Sequence, residues 1–256
     1  MLSAIIWGLV QGLTEFLPIS SSGHLVIVPS FLEKLGVEIS PPSLAVSAVL
    51  HLGTLIAVLA YYRQDILKVL RFRTEPEGRK IALLVAVGTL PAAVGLPLRD
   101  SLEAFQRTAA NVGWALVATG AILLVGQRLA SGVRNLADGR IPDAVVVGIA
   151  QAFALVPGIS RSGITISAGN GRGFESTEAA RFSFLLGIPA IAAAGVTELT
   201  EIGGGAAVSE VIVGLVVSAV SGYAAIAWLL AALRRVGLTP FAIYALVIGV
   251  LTVILL

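Results

Sequence analysis

Residues 11–25, QGLTEFLPISSSGHL, decide the fold, because this stretch sets polar groups inside a span whose surroundings are almost entirely apolar. A similar stretch returns 140 positions later, where residues 148–165 read GIAQAFALVPGISRSGIT. The identical pairs at this offset are Gly8 and Gly148, Gln11 and Gln151, Ile19 and Ile159, Ser20 and Ser160, Ser22 and Ser162, and Gly23 and Gly163. The repetition predicts that the chain is a duplicated unit.

The two copies differ at the tip of this stretch in a way that indicates chemistry. The first tip, ISSSGH, carries Ser21 and His24, whereas the second, ISRSGIT, carries Arg161 and Thr165. One copy therefore offers a nucleophile and a base, and the other offers a fixed cation.

The composition is that of an integral membrane protein. Of the 256 residues, 57% are hydrophobic and 12% are charged, whereas roughly a quarter of the residues in soluble domains are charged. Several apolar runs approach the roughly 20 residues that a helix needs to cross the hydrocarbon. The chain has no cysteine, which excludes disulfides, thiolate metal sites and a cysteine nucleophile.

Each copy begins with an apolar segment that is interrupted before it could cross a membrane. In the first copy, residues 1–17 and 24–32 form two half-length helices around Pro18 and three serines; in the second, Pro157 and Gly158 interrupt residues 143–170. We interpret each interrupted segment as a re-entrant helix hairpin, which is tolerated where the broken backbone is buried in protein or lines a wet cavity. A single kinked transmembrane helix is the alternative.

Three full spans are predicted after each interrupted segment. They cover residues 43–62, 81–98 and 108–127 in the first copy, and residues 178–199, 208–233 and 239–256 in the second. The predicted fold is therefore an all-α polytopic membrane protein with a single membrane domain, made of repeat 1 (1–127), a linker (128–142) and repeat 2 (143–256). An odd number of crossings per copy turns the second copy upside down, which makes the repeat an inverted one.

The basic residues predict the orientation. One side of the predicted bundle carries thirteen of them: Arg63, Lys68, Arg71, Arg73, Arg79, Lys80, Arg128, Arg134, Arg140, Arg172, Arg181, Arg234 and Arg235. The other side carries Lys34, Arg99 and Arg107. By the positive-inside rule the first side is cytoplasmic and both termini lie outside. The two hairpins then enter from opposite faces, so that their tips can meet inside the membrane.

Gln11 and Glu15 are four residues apart and share one face of a helix. A carboxylate at membrane depth costs about 2.5 to 3.5 kcal/mol on insertion scales and is by default functional or paired. For Glu15 we favour a functional role over a purely structural ion pair with a neighbour such as Arg161.

The serines around both tips are predicted to surround an oxyanion. Ser20, Ser21 and Ser22 precede a half-helix expected to begin near His24. In the second copy Ser160, Arg161 and Ser162 precede one expected near Ile164. Helix starts attract anions through free amide groups and the helix dipole, and a guanidinium suits bidentate phosphate contact. For Ser20 and Ser162, a structural role as a helix cap is the preferred interpretation.

The two histidines have different expected roles. His24 beside Ser21 provides a proton acceptor for a serine nucleophile, or is itself the nucleophile. His51 lies inside the first full span, where a packed, hydrogen-bonded histidine is the expected state. Glu15 together with phosphate oxygens could hold a hard divalent cation such as Mg²⁺ or Ca²⁺.

These motifs resemble those of a known family. QGLTEFLPISSSGH resembles the (E/Q)xxxE segment and serine-rich turn of the bacterial undecaprenyl-diphosphate phosphatases of the bacitracin-resistance type, and residues 157–165, PGISRSGIT, resemble their PGxSRSxxT motif. The resemblance covers nearly the whole chain, including the run ARFSFLLGIPA at residues 180–190. Gln11 stands where glutamate is common in the family, so that only Glu15 supplies this carboxylate.

The resemblance implies an activity, a location and a set of roles. The activity is dephosphorylation of the C55 lipid diphosphate with release of phosphate at the outer face of the bacterial plasma membrane, which recycles the carrier for cell-wall precursors. By motif, Ser21 is the nucleophile, His24 and Glu15 are the acid/base or metal-linked pair, and Arg161 binds the diphosphate. Gln11, Ser20, Ser22, Ser160, Ser162 and Thr165 are the expected substrate-binding residues.

The expected partners are a prenyl diphosphate lipid and the bilayer. The basic loop 63–80 is interleaved with Asp65, Glu75 and Glu77, so we interpret it as a topology determinant and not as a nucleic-acid patch. The sequence is compatible with a homodimer as well as with a monomer.

The rival function is an inverted-repeat secondary transporter or a flippase for an anionic lipid, because broken helices around a midplane anion site are common in transporters. A different membrane phosphatase type, which needs a histidine after the arginine, is excluded because no histidine follows His51.

Overall fold

The structure, a computed structural model, describes residues 1–37, 42, 44–94, 102, 104–105, 108–200 and 208–256. Within these residues it contains eleven α-helices: α1 (Leu2–Phe16), α2 (Ser21–Lys34), α3 (Leu44–Tyr61), α4 (Arg63–Leu70), α5 (Pro76–Val94), α6 (Ala109–Arg128), α7 (Ile141–Phe153), α8 (Arg161–Gly171), α9 (Ser176–Thr200), α10 (Val208–Arg235) and α11 (Thr239–Leu255). The predicted loop 99–107, with Arg99 and Arg107, contains only three described positions, and neither arginine is one of them.

The protein is a polytopic membrane protein. Helices α6, α9 and α10 are each long and apolar enough to cross a bilayer, and α3 with α4 qualifies if that bent pair is counted as one span. Large apolar side chains such as Trp114, Trp228 and Ile254 are more than half exposed on the outside of the bundle. Exposed apolar surface of this extent is expected where lipid, and not water, is the solvent.

Both half-helices after the turns begin earlier than predicted. Helix α2 begins at Ser21, not near His24, because Ser20 Oγ accepts a hydrogen bond from Gly23 N and caps the helix. Helix α8 begins at Arg161, not near Ile164, because Ser160 Oγ accepts from Gly163 N in the same way. Ser21 and Arg161 are therefore the first helical residues after their caps, and both side chains project from a helix start.

The prediction of a polar loop at residues 63–80 is wrong except at residues 71–75, because α4 precedes these residues and α5 begins at Pro76. Helix α4 occupies Arg63–Leu70 and turns by 81° from the helix before it. This helix is held by Arg181 on α9, whose guanidinium binds Asp65 and Glu77. The polar residues of this segment suggested a loop because Arg181, the ion-pair partner of Asp65, lies far away in the sequence.

Five helix contacts build the core around the turns. Helix α1 packs on α10, α5 on α7, α3 on α9 and α10, and α6 on α11. Glycines allow the close approaches: a Cβ at Gly12 would lie 2.7 Å from Ser218 O of α10, and a Cβ at Gly148 would lie 2.9 Å from Gly88 Cα of α5. Small residues at helix crossings are the usual means of close packing in membranes.

The two turns are anchored by different ends of the bundle. The Met1 ammonium lies 2.8 Å from Glu210 Oε1, and Lys34 at the end of α2 donates to Leu255 O at the end of α11. Asp143, near the start of α7, accepts at 2.7 Å from both Arg134 and Arg172. The start of α1 therefore lies beside the start of α10, and the end of α2 lies beside the end of α11. The start of α7 and the end of α8 lie beside the loop that precedes α7.

Candidate functional site

The two serine-rich turns meet inside the protein. Ser162 Oγ at the start of α8 donates to Leu17 O in the first turn at 3.1 Å. Gly158 N in the second turn donates to Ser22 Oγ at 3.5 Å. Hydrogen bonds between segments 136 and 145 residues apart fix the two turns against each other.

Glu15 is the centre of the polar cluster between the turns. Its Oε2 accepts from Ser21 Oγ at 2.7 Å and from Gln11 Nε2 at 3.0 Å, while its Oε1 accepts from Arg161 Nη2 at 2.9 Å. The side chains of Glu15 and Arg161 are 8% and 15% exposed. A charge pair this poorly hydrated interacts more strongly than a surface pair and needs the hydrogen bonds that it receives here.

Arg161 is also held by residues other than Glu15. Its Nη1 donates to Ser183 O at 3.4 Å, and its own carbonyl accepts from Thr165 Oγ1 at 2.6 Å. Thr165 Oγ1 also shares a 2.6 Å hydrogen bond with Ser183 Oγ. The guanidinium lies directly against Gly187 of α9, whose missing side chain leaves the space that it occupies.

Because of this contact, Gly187→Ala is expected to reduce turnover without unfolding the protein. The added Cβ would overlap Arg161 Nη1 and lie 2.7 Å from Cζ, so the guanidinium must shift while the backbone can stay. A displacement of about 1 Å can cost about 100-fold in rate, so we expect kcat/KM to fall by about 10- to 100-fold. The measurement is steady-state kinetics alongside the thermal midpoint in detergent.

Gly195→Ala on the same helix is the matched control. Its Cβ would meet the Leu52 side chain at 3.1 Å, away from Arg161. If Gly187→Ala kept full turnover, the present position of the guanidinium would not be the one that matters.

A cavity of about 170 Å³ opens beside the Glu15–Arg161 pair. Its lining consists of Thr14, Glu15, Ser20, Ser21, Ser22, His51, Ala154, Ile159, Ser160, Arg161, Ala190, Ile191 and Ala194. One wall is thus made of hydroxyls and charges, and the other of small apolar side chains. The volume suits an anionic head group and is far too small for a long lipid chain.

His24 is not part of this lining. It is 5% exposed, its Nδ1 lies 2.7 Å from Ser20 O, and its Nε2 lies 2.8 Å from the Tyr244 hydroxyl on α11. His51, in contrast, lines the cavity while its Nδ1 lies 3.1 Å from Ser47 O, within hydrogen-bonding distance. The imidazole that lines the cavity together with Glu15 is therefore that of His51.

The structure brings together most of the residues that the sequence singled out. Glu15, Ser21 and Arg161 are directly bonded, Gln11 joins them through Glu15, and Ser20, Ser22 and Ser160 line the cavity. Thr165 and Ser162 lie behind the cavity: Thr165 supports Arg161, and Ser162 bridges to the first turn instead of capping a helix.

Sequence reasoning missed three supporting residues. Thr119 of α6 donates to Gly158 O and accepts from Ser160 N, so it holds the second turn. Ser183 supports Arg161, and Tyr244 contacts His24. Thr119 could have been noticed as an isolated polar residue in an apolar span, whereas nothing local distinguishes Ser183 or Tyr244.

The arrangement supports proton transfer beside a bound anion. Ser21 already donates its hydroxyl proton to a carboxylate, which is the geometry of a nucleophile with its base. Arg161 presents a fixed positive charge at the same carboxylate, so an oxyanion entering the cavity would meet the guanidinium and several hydroxyl donors together.

Comparisons with known proteins extend over the whole chain. The sequence profile of the family described as "Bacitracin resistance protein BacA" matches residues 4–251. A protein of Myxococcus xanthus named undecaprenyl-diphosphatase is 44% identical over 269 residues, covering 100% of this chain and 89% of that protein. Proteins of the same name from Methanosphaera stadtmanae and a Nocardioides species are 39% and 40% identical, covering 100% and 99% of this chain and 98% and 96% of their own lengths.

Proposed function

The chain belongs to the bacitracin resistance protein BacA family, and from that premise we propose how its site performs the family's reaction. The protein is an undecaprenyl-diphosphate phosphatase: it dephosphorylates undecaprenyl diphosphate to undecaprenyl phosphate and releases inorganic phosphate. The relatives carry this activity in their names, and each of them matches nearly the whole of this chain.

The single observation that carries the mechanism is the chain of contacts from Ser21 through Glu15 to Arg161. In the first step, Ser21 Oγ attacks the terminal phosphorus and its proton passes to Glu15 Oε2. The bond between that phosphorus and the bridging oxygen breaks, and undecaprenyl phosphate leaves with the electron pair. Arg161, released in part from Glu15 as that carboxylate takes up the proton, binds the oxygens of the transferring group.

In the second step, water completes the reaction. Glu15 gives its proton to the departing undecaprenyl phosphate, then takes a proton from a water molecule that attacks the phosphoserine, and passes this proton to Ser21 Oγ. The bond between phosphorus and Ser21 Oγ breaks, the serine regains a proton and inorganic phosphate leaves. The hydroxyls of Ser20, Ser22 and Ser160 around the cavity donate to phosphate oxygens throughout.

A divalent cation is compatible with the site only with help from the substrate. Among the described residues no group of three or more histidine, cysteine, aspartate or glutamate side chains could hold an ion. Glu15 and the buried Gln11 Oε1, which has no hydrogen-bond partner, would hold a hard cation such as Mg²⁺ or Ca²⁺ together with diphosphate oxygens. When bound, the ion would neutralise charge on the diphosphate.

Purified protein in detergent provides the test of the activity. We expect release of inorganic phosphate from undecaprenyl diphosphate and formation of the monophosphate. The rival transporter or flippase predicts movement of the lipid across proteoliposomes without hydrolysis. Movement with no phosphate release under any cation condition would overturn the proposed mechanism.

We further propose that the fold is an inverted repeat with a re-entrant hairpin in each half. In such a repeat α1 corresponds to α7, and α5 corresponds to α10. The packing of α1 on α10 and the packing of α7 on α5 are therefore equivalent contacts, which supports the proposal. The contacts of α3 with α9 and of α6 with α11 then lie on the pseudo-two-fold axis. The anchoring of the two turns by different ends of the bundle supports hairpins that enter from opposite faces.

We also propose that both termini face the outside and that the cavity opens there. The absence of cysteine in the sequence makes the orientation easy to test, since single cysteines can be introduced without removing any. Leu35 after α2 is 78% exposed and Val133 before α7 is 86% exposed. In intact cells a membrane-impermeant maleimide should label Leu35→Cys, and should label Val133→Cys only after permeabilisation. The reverse pattern would invert the orientation.

A further inference from the structure

Both ring nitrogens of His24 have hydrogen-bond partners, and the residue does not line the cavity beside Glu15 and Arg161. Its Nδ1 lies 2.7 Å from Ser20 O and its Nε2 lies 2.8 Å from the Tyr244 hydroxyl. The two rings also stack, with centroids 5.7 Å apart and planes 9° from parallel. Tyr244 belongs to the last helix, 220 residues away in sequence.

The chemistry of these two partners determines which nitrogen of the neutral His24 ring carries the proton. A carbonyl oxygen can only accept, so Nδ1 carries the proton and donates to Ser20 O. In the neutral ring Nε2 is then the unprotonated nitrogen and accepts a hydrogen bond from the Tyr244 hydroxyl. The lone pair that a nucleophile or base needs is therefore directed at Tyr244 and not at the cavity.

The residue that His24 holds has an unusual backbone. Ser20 has a φ of 72°, which is the left-handed region that side-chain-bearing residues rarely adopt, and it is the sole described non-glycine residue to do so. Such a conformation persists only when its surroundings determine it strongly. Ser20 lies directly before Ser21, so its conformation sets where the Ser21 hydroxyl points.

The second turn serves as an internal comparison. There Ser160 caps its helix in the same way but has an ordinary φ of −71°. Ile164 stands at the position that corresponds to His24. The turn without strain has no imidazole behind it, and the strained turn has one.

We propose that Tyr244 and His24 are positioning residues, a hydrogen-bonded pair that holds Ser20 in its left-handed conformation and thereby directs the Ser21 hydroxyl at Glu15. This inference rests on the proposed role of Ser21 and Glu15. It assigns a function to the last helix and explains a buried histidine that does not reach the reacting atoms. The two turns are then braced by neighbouring helices, the second by Thr119 of α6 and the first by Tyr244 of α11.

Kinetics of matched variants test the proposal. Tyr244→Phe keeps the ring and removes the hydroxyl, so we expect kcat to fall by about 10- to 100-fold while KM for undecaprenyl diphosphate stays within about twofold, since the head-group contacts of Arg161 are untouched. Tyr223→Phe on α10 is the control and should leave both constants unchanged. An unchanged kcat in Tyr244→Phe would overturn the proposal.

The choice of substitution at His24 separates positioning from direct catalysis. Asparagine can place Nδ2 where Nδ1 lies and still donate to Ser20 O, whereas alanine cannot. We expect His24→Asn to recover part of the turnover that His24→Ala loses, and Tyr244→Phe to cost nothing more in the His24→Asn background. Equal inactivity of folded His24→Asn and His24→Ala would instead make the imidazole a catalytic group.

Nuclear magnetic resonance provides a readout that does not depend on activity. The chain has two histidines, so ¹⁵N-histidine labelling gives two sets of ring signals, with His51 as the reference. We expect His24 as the Nδ1–H tautomer and a shift of its Nε2 signal in Tyr244→Phe. An Nε2–H tautomer, or no shift, overturns the inference, whereas failure of the unsubstituted protein to release phosphate would overturn the proposed function.

Discussion

Replacing Arg161 by alanine is expected to lower kcat/KM for undecaprenyl diphosphate by about 10³- to 10⁵-fold, the range attributed to an arginine that neutralises a transferring phosphoryl group. Arg161 Nη2 lies 2.9 Å from Glu15 Oε1, and both side chains are largely buried. The substitution therefore removes both the positive charge that binds the phosphate and the partner of a buried carboxylate. The measurement is phosphate release by purified protein at saturating and limiting substrate.

Loss of folding has to be separated from loss of chemistry in this variant. Removing one partner of a buried ion pair costs about 3 to 5 kcal/mol, so Arg161→Ala alone is expected to melt earlier. The double variant Arg161→Met with Glu15→Gln leaves no unpaired charge and should regain thermal stability while staying inactive. Arg172→Ala, which removes one of the two arginine partners of Asp143, is the control for losing an arginine elsewhere. Near-normal turnover in the double variant would remove Arg161 and Glu15 from the mechanism.

Most of the side chains that meet between the two turns could be predicted from the sequence, because the two motifs are long, repeated and polar in an apolar chain. The pairing of Glu15 with Arg161 followed from charge alone, since each would be costly at membrane depth without the other. The helix boundaries were less predictable. Ser20 caps α2 as predicted, yet the helix begins at Ser21 and not near His24, because Ser20 Oγ accepts its capping hydrogen bond from Gly23 N.

The placement of His24 could not be predicted because it depends on a contact with Tyr244, which lies 220 residues away in the sequence. Adjacency in sequence suggested that His24 would face Ser21, but on a helix beginning at Ser21 the histidine lies three residues on and turns back to Ser20 O. Its second partner, Tyr244, lies on the last helix and carries no motif. The same limit applies to Gly187, whose importance appears only when the Arg161 guanidinium is seen lying against it.

Replacing Ser21 by alanine is expected to lower kcat by at least about 10³-fold, because removing an enzyme nucleophile leaves only the stabilisation provided by the rest of the site. Ser21 Oγ is 2.7 Å from Glu15 Oε2, the shortest hydrogen bond that this carboxylate accepts. The fold should be unaffected, since Ser20 and not Ser21 caps α2. Acid quenching of a reaction with substrate labelled in its terminal phosphate should trap phosphoserine at position 21 in the unsubstituted protein and none in Ser21→Ala.

Ser22→Ala is the matched control for this prediction. Ser22 lines the same cavity. Its Oγ accepts a hydrogen bond from Gly158 N and shares one with Ser20 Oγ, but no hydrogen bond joins it to Glu15 in the structure. We therefore expect a loss of less than about 10-fold, the size of one hydrogen bond to substrate or turn. Glu15→Gln tests the base while the nucleophile is still present: it keeps the shape of the side chain and Ser21 in place, yet should also form no phosphoserine. If Ser21→Ala retained turnover within tenfold of normal, water would have to attack phosphorus directly, and Glu15 would act as the base for that water instead of for Ser21.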